Sequence, residues 1–195
     1  MTPIIGIIDS AKTGNLSSPA MYSIASGIVT STQMSLDFSS IPQTYTHLRV
    51  VCMVRTINSG AVENMNMRVG GSGGVDTGNN YGIGYLVGDS SSANPGSGNQ
   101  ASAQGAAYAG RVAGAGALAG ERGICIIDIM NYTDTTRKKV IMSKSGHAEN
   151  STNNEVYLSS SEWNNTAAIQ TLSVGTFYLT QTLEVGSTVA LYGIK

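Results

Sequence analysis

The segment IPQTYTHLRVVCMVRT, residues 41–56, decides the fold. It holds a histidine, a cysteine and two arginines close together, so it is either a reactive site or a strand carrying reactive letters. Pro42 ends whatever precedes it. The run from Tyr45 to Thr56 is rich in Val, Thr, Tyr and Leu, which is strand composition at strand length. Side chains on a strand alternate between its two faces. Leu48, Val50, Cys52 and Val54 then share one apolar face, and His47, Arg49, Val51, Met53 and Arg55 share the other. A Cys–His dyad needs hydrogen-bond contact between its members, and the alternation puts His47 and Cys52 on opposite sides of the sheet. Cys52 is therefore expected in the core. His47 and the arginines are expected on the outer face or at a subunit contact.

The same pattern recurs outward from this strand. ENMNMRVG (63–70) sets Met65, Met67 and Val69 against Asn66 and Arg68, as a half-buried strand does. GICIIDIMNY (123–132) is apolar on both faces and reads as a central strand. KKVIMSKSG, EVYLSSSEW, AAIQTLSVG, TFYLTQTLEVG and STVALYGIK follow at short intervals with turn residues between them. Many short strands with frequent turns predict an all-β sandwich or barrel, and no window keeps a helical period. A chain that ends on VALYGIK is expected to pair its last strand inside a sheet. Two stretches interrupt the pattern and read as loops: GGSGGVDTGNNYGIG (70–84) and the Gly/Ala-rich residues 96–120. A loop as long as the second is expected to be functional or covered by a partner.

Composition limits the function. The chain has 195 residues, enough for one domain with a core of its own. Its 11 basic and 12 acidic residues give no electrostatic footprint for nucleic acid or an anionic membrane. No segment reaches the ~20 apolar residues of a membrane span. MTPIIGIIDSAK lacks the basic start and the core length of a signal peptide, so the Asn-x-Ser/Thr triplets at Asn15, Asn131, Asn150 and Asn164 read as chance matches. Cys52 and Cys125 belong to no Cys-x-x-Cys pair and have no His-x-x-x-His beside them. They read as buried thiols with no metal, and whether they meet stays open.

Sites that would carry chemistry are scarce. GAGALA (114–119) matches a dinucleotide fingerprint, but a strand follows where a helix is required. His147 lies in a polar stretch beside Glu149 and is expected to face solvent. Glu155 with Glu162, and Asp128 with Asp134, are acidic neighbours without a shared motif, so no catalytic residue and no cofactor is assigned. Trp163 reads first as a buried cap on the sandwich and second as a glycan contact.

FSSIPQTYTHLRV, IIDIMNYTDTTRKK, SSSEWNNTAAIQTL and the terminal ALYGIK, taken in this order, resemble a family of small virion proteins of tailed phages of aquatic bacteria. The resemblance covers nearly the whole chain. It implies a jelly-roll-like antiparallel β-sandwich in a virus particle, trimeric and without enzymatic activity, and it leaves open whether the particle's head or tail carries it. The residues weigh toward the head. A tail fibre needs a shaft, and the chain has no repeat, no heptads and no length for one. It reads as a sandwich domain, residues 21–195, behind an N-terminal arm and connector, residues 1–20. Ile4, Ile5, Ile7 and Ile8 of that arm are expected to grip a neighbouring subunit or the particle. The expected role is a homotrimeric capsid decoration (cement) protein that contacts other virion proteins. The alternative is a tail fibre or receptor-binding tip that recognises a host surface glycan.

Overall fold

The computed structural model describes residues 20–89, 96–148, 154–176 and 182–195. Ile4, Ile5, Ile7 and Ile8 lie outside the described residues. In chain order the strands are β1 (Met21–Ile28), β2 (Ser35–Phe38), β3 (His47–Val54), β4 (Val62–Gly70), β5 (Tyr81–Asp89), β6 (Gly96–Gln104), β7 (Ala107–Ala113), β8 (Gly123–Ile129), β9 (Lys139–Ala148), β10 (Asn154–Trp163), β11 (Thr171–Gly175) and β12 (Thr188–Ile194). Among the described residues there is no helix. The strands form two antiparallel sheets ordered β1-β12-β3-β8-β9-β10-β5-β6 and β2-β11-β4-β7. The protein is an all-β antiparallel sandwich, as its periodicity predicts.

The alternation of residues 47–54 becomes the register of β3. Leu48, Val50, Cys52 and Val54 are fully buried, and β3 sits between β12 and β8. Facing them from the smaller sheet come Met65, Met67 and Val69 of β4 with Leu172 and Val174 of β11, all in the same buried cluster. The last strand is paired on both sides, with β1 and with β3. Cys52 lies directly opposite Cys125, and both are free thiols. Burial, and the neighbouring Cys125, push the Cys52 thiol well above its ordinary value. Burial lifts Cys125 to about 12 against a hydrogen bond with Ser145. Such thiols stay protonated and poorly nucleophilic at neutral pH.

Three expectations need correction. The stretch 70–84 is a loop only as far as Asn80, because Tyr81 opens β5. The Gly/Ala-rich residues 96–120 supply β6 and β7 before their loop begins. The small side chains of β7 are there because the two sheets approach closely where β7 crosses β8, β9 and β10. Gly110 has φ +132°, and a Cβ on it would stand 2.4 Å from Ser145 Oγ. A Cβ on Gly123 would stand 2.6 Å from the Val112 Cα. A buried row of serines hydrogen-bonds the β7 backbone at this crossing. Arg111 N donates to Ser145 Oγ (2.8 Å) and Tyr108 N to Ser161 Oγ (3.2 Å). The Ser143 and Ser159 hydroxyls hydrogen-bond each other at 2.6 Å, and the one that accepts in that bond donates to Tyr108 O, which lies 3.3 and 3.2 Å from them. Buried polar groups need such partners, and small hydroxyls supply them where there is no room for more. The third correction concerns GICIIDIM. Its strand is central in the sheet, but Ile124 on the outer face is exposed rather than covered.

Candidate functional site

The outer face of the larger sheet carries an apolar surface. Register places Val51, Ile126, Lys144, Leu158 and Leu86 in one row across five strands. The next row is Met53, Ile124, Gly146, Val156 and Gly88. Val156 is 66 % exposed, Leu86 58 % and Ile124 51 %. Single exposed apolar residues are ordinary, but a contiguous group of them marks an interaction surface. The two glycines leave the face uneven. A hollow of about 310 Å³ opens between Ile124, Ile126, Gly146 and Val156, and another of about 260 Å³ beside Leu86, Met142 and Leu158. Polar pairs mark the boundary on one side. Arg49 holds Asp128 through two bonds of 2.7 and 2.9 Å, and Lys138 meets Glu162 at 2.9 Å. The hydrogen bond to Asp128 outweighs burial and keeps the Arg49 guanidinium more basic than usual. Lys144 stands at the centre of the apolar rows and has no ion pair among the described residues.

The residues that suggested chemistry are placed elsewhere. His47 stays on the outer side, where its Nδ1 accepts from Asn131 N at 3.0 Å. Arg49 is on that face too. Arg55 is not: it lies past the end of β3 and is 6 % exposed. Its guanidinium donates to the carbonyls of Leu118 (2.7 Å), Glu121 (2.9 Å), Ala115 and Ala117 (3.3 Å each), and pairs with Glu184 at 2.9 Å. This loop contains GAGALA. A phosphate cradle aims N–H groups at its ligand, whereas here carbonyls converge on a cation. The N–H groups of residues 114–117 are already donated to Ala61, Asn58, Gly60 and Gly114 carbonyls. The fingerprint is a structural loop wrapped on Arg55.

His147 is a correction as well. It belongs to β9, is buried, and lies opposite Glu155 in register, because the inward alternation of Ile141, Ser143 and Ser145 continues to it. Glu155 pairs with Arg111 at 2.7 Å. Glu162, seven residues along β10, faces the other way, so Glu155 and Glu162 form no catalytic pair. Arg111 lies over the Tyr157 ring, and Tyr157 stacks on Tyr85 with centroids 5.2 Å apart. The sequence pattern gave no sign of this cluster, since its members come from four strands.

Trp163 is 1 % exposed, and its indole N–H donates to Asp76 Oδ2 at 2.9 Å. With its ring faces buried it offers nothing for a sugar to stack on, which removes it as a glycan contact. Asp76 organises the loop before β5. Burial acts to raise its pKa, but hydrogen bonds from Trp163, Asn80 and Gly78 N outweigh this and hold it below the ordinary value. On the smaller sheet a cleft of about 500 Å³ runs beside Asp37, Arg68, Thr171 and Ser173. There Ser35 and Ser173 donate to one oxygen of Asp37 at 2.9 and 2.5 Å.

Comparison of the chain with protein-family models, with curated proteins and with solved structures finds no match.

Proposed function

We propose that the chain is a non-enzymatic structural protein of a phage virion, a decoration (cement) protein that works as a homotrimer on the capsid surface. The observation that carries this reading is the apolar outer face centred on Ile124, Val156 and Leu158, which needs a protein neighbour to cover it. Strand order supports it further. β1, β2, β3 and β4 alternate between the two sheets, and so do β7 with β8 and β11 with β12. Without β5, β6, β9 and β10 the sheets read β1-β12-β3-β8 and β2-β11-β4-β7. That is a double four-stranded arrangement of the jelly-roll kind, an architecture used by viral capsid domains and by lectins. The other four strands extend the first sheet and widen the apolar face. Fold alone does not fix function. The weight therefore rests on the surface, and the virion setting on the resemblance of the sequence.

A tail-fibre tip that recognises a glycan is the second reading. It is favoured by the cleft beside Asp37, Arg68 and Ser173, whose carboxylate, guanidinium and hydroxyls suit sugar hydroxyl groups. Immunogold labelling of purified particles decides between the two. Label over the head supports decoration, label at the tail supports the fibre, and unlabelled particles refute both.

A further inference from the structure

We infer that the cleft on the outer face of the smaller sheet binds a hexuronic acid unit, with its hydroxyl groups at Asp37 and its carboxylate at Arg68. The inference rests on the reading of this cleft as a sugar site, and does not depend on which part of a particle carries the chain.

The cleft is built from backbone. Leu172 and Val174 of β11 belong to the core, so Thr171, Ser173 and Gly175 face outward. A Cβ on Gly175 would strike Met34 O, and one on Gly70, opposite Thr171, would strike Gly74 O. Main chain therefore lies against the outer face at both ends of this stretch, and Met34 and Gly74 both line the cleft. Walls of this kind do not swing away as long side chains do. The volume of about 500 Å³ falls in the usual range of small-molecule sites, about 300–1,000 Å³.

Strand register sets the polar groups. Asp37, Ser173 and Arg68 lie directly opposite one another on β2, β11 and β4. The two charged residues are thus two strand spacings apart, roughly 10 Å at the backbone. Asp37 meets no cation among the described residues. Its Oδ1 takes the Ser35 and Ser173 hydroxyls at 2.9 and 2.5 Å, which fixes the carboxylate and leaves Oδ2 to accept. Ser173 is 4 % exposed, so this hold is shielded from water. At the other wall Arg68 Nε donates to Gly105 O at 2.8 Å, which steadies the guanidinium. A planar guanidinium carries five N–H donors and attracts a carboxylate through its charge as well.

This arrangement selects the ligand. Ser35, Ser39, Thr171, Ser173 and Thr176 bring hydroxyls to the cleft. Hydroxyls both donate and accept, and a carboxylate accepts, which suits a polyhydroxy compound. Met34, 48 % exposed, and Val75 add apolar surface for the C–H face of a ring. A ligand that is anionic throughout is opposed by Asp37, and a cationic one by Arg68. A hexuronic acid has hydroxyls along its ring and a single carboxylate at one end, so it answers both walls at once.

The test follows the isotope-labelled full chain by NMR during titration with sugars. The probes are methyl glycosides of glucuronic, galacturonic and mannuronic acid, each beside its neutral parent hexoside. One of the acids is expected to bind about tenfold tighter than its parent, as a hydrogen bond to a charged group allows. Its amide shifts should map to Asp37, Arg68 and Ser173. Arg68→Gln should abolish the difference between acid and parent, and Asp37→Asn should weaken both alike, at unchanged melting temperatures. No binding, equal affinity for acid and parent, or shifts that map to another surface overturns the inference. The wild-type map decides this even where a variant fails to fold. Sugar binding that maps elsewhere ends this inference and leaves the fibre reading standing. Acid-selective binding in the cleft by a protein labelled over the head does the reverse.

Discussion

Gly110→Ala tests why a third of this chain is glycine, alanine and serine. Gly110 has φ +132°, a region that an L side chain enters only with strain, at roughly 1–3 kcal/mol. The added methyl would stand 2.4 Å from Ser145 Oγ, 2.5 Å from Ser145 Cβ and 3.2 Å from Cys125 Sγ. The Ser145 Cβ is fixed to its backbone and cannot rotate away, so the sheets must part, at a typical overpacking cost of about 1–3 kcal/mol. Parting also weakens the 2.8 Å bond from Arg111 N to Ser145, worth about 1 kcal/mol. The sum is about 3–7 kcal/mol, or a melting temperature lower by roughly 6–28 °C for a chain of this size. Urea unfolding measures it directly. Ser145→Gly removes the atoms in the way, so Gly110→Ala with Ser145→Gly should be less destabilised than the two singles added together, by about 1–3 kcal/mol. A Gly110→Ala protein within about 0.5 kcal/mol of wild type, or strict additivity in the pair, refutes close sheet approach as the reason for the small residues.

Arg55→Ala leaves four loop carbonyls and Glu184 without their cation. A loss of about 3–5 kcal/mol is expected in urea unfolding, as for one partner removed from a buried pair. Cys52→Ala should cost ~1–2 kcal/mol as a small core truncation, and a thiol reagent should label the native protein slowly, since rapid labelling would contradict burial of both thiols. Asp76 has its pKa depressed below the ordinary 3.8 by its hydrogen bonds. Its contribution is therefore complete above that value and is lost as pH falls through the lower folded value. Asp76→Asn should lessen the drop in unfolding free energy between pH 5 and pH 2, and an unchanged drop would show that this carboxylate carries none of it.

The sequence made β3 readable because a strand with one buried face shows its period in its own letters: Leu48, Val50, Cys52 and Val54 need no partner to be recognised. The same holds for Met65, Met67 and Val69. The Gly/Ala strand was hidden for a physical reason. Glycine and alanine are turn letters in isolation, and what requires them at 107–113 is a row of serines at 143–161 on another sheet. Those serines in turn read as surface, because their partners are backbone groups of β7. Arg55 followed the alternation of β3 on paper, but the strand ends at Val54 and the side chain turns into the 115–121 loop. His147 read as loop because Ser, Lys and Gly surround it, although the inward alternation of β9 runs through it. The outer face was half visible. The apolar letters of residues 124–130 on both faces read as a central strand, and only the neighbouring strands show that Ile124, Val156 and Leu86 line up in the open.

If that face is a contact between copies, sedimentation equilibrium of wild type beside Leu158→Glu shows it most directly. Leu158 is 43 % exposed and lies in the row of Lys144 and Leu86. A carboxylate there should leave the monomer's fold intact, and burying it together with its cross-strand neighbour Lys144 costs the interface both the leucine's apolar contact and the desolvation of two charges. The expected result is a trimer of 20.2 kDa chains for wild type and a monomer for Leu158→Glu with an unchanged melting curve of the chain itself. A wild-type protein that stays monomeric at every concentration, or a Leu158→Glu protein that remains trimeric, contradicts it.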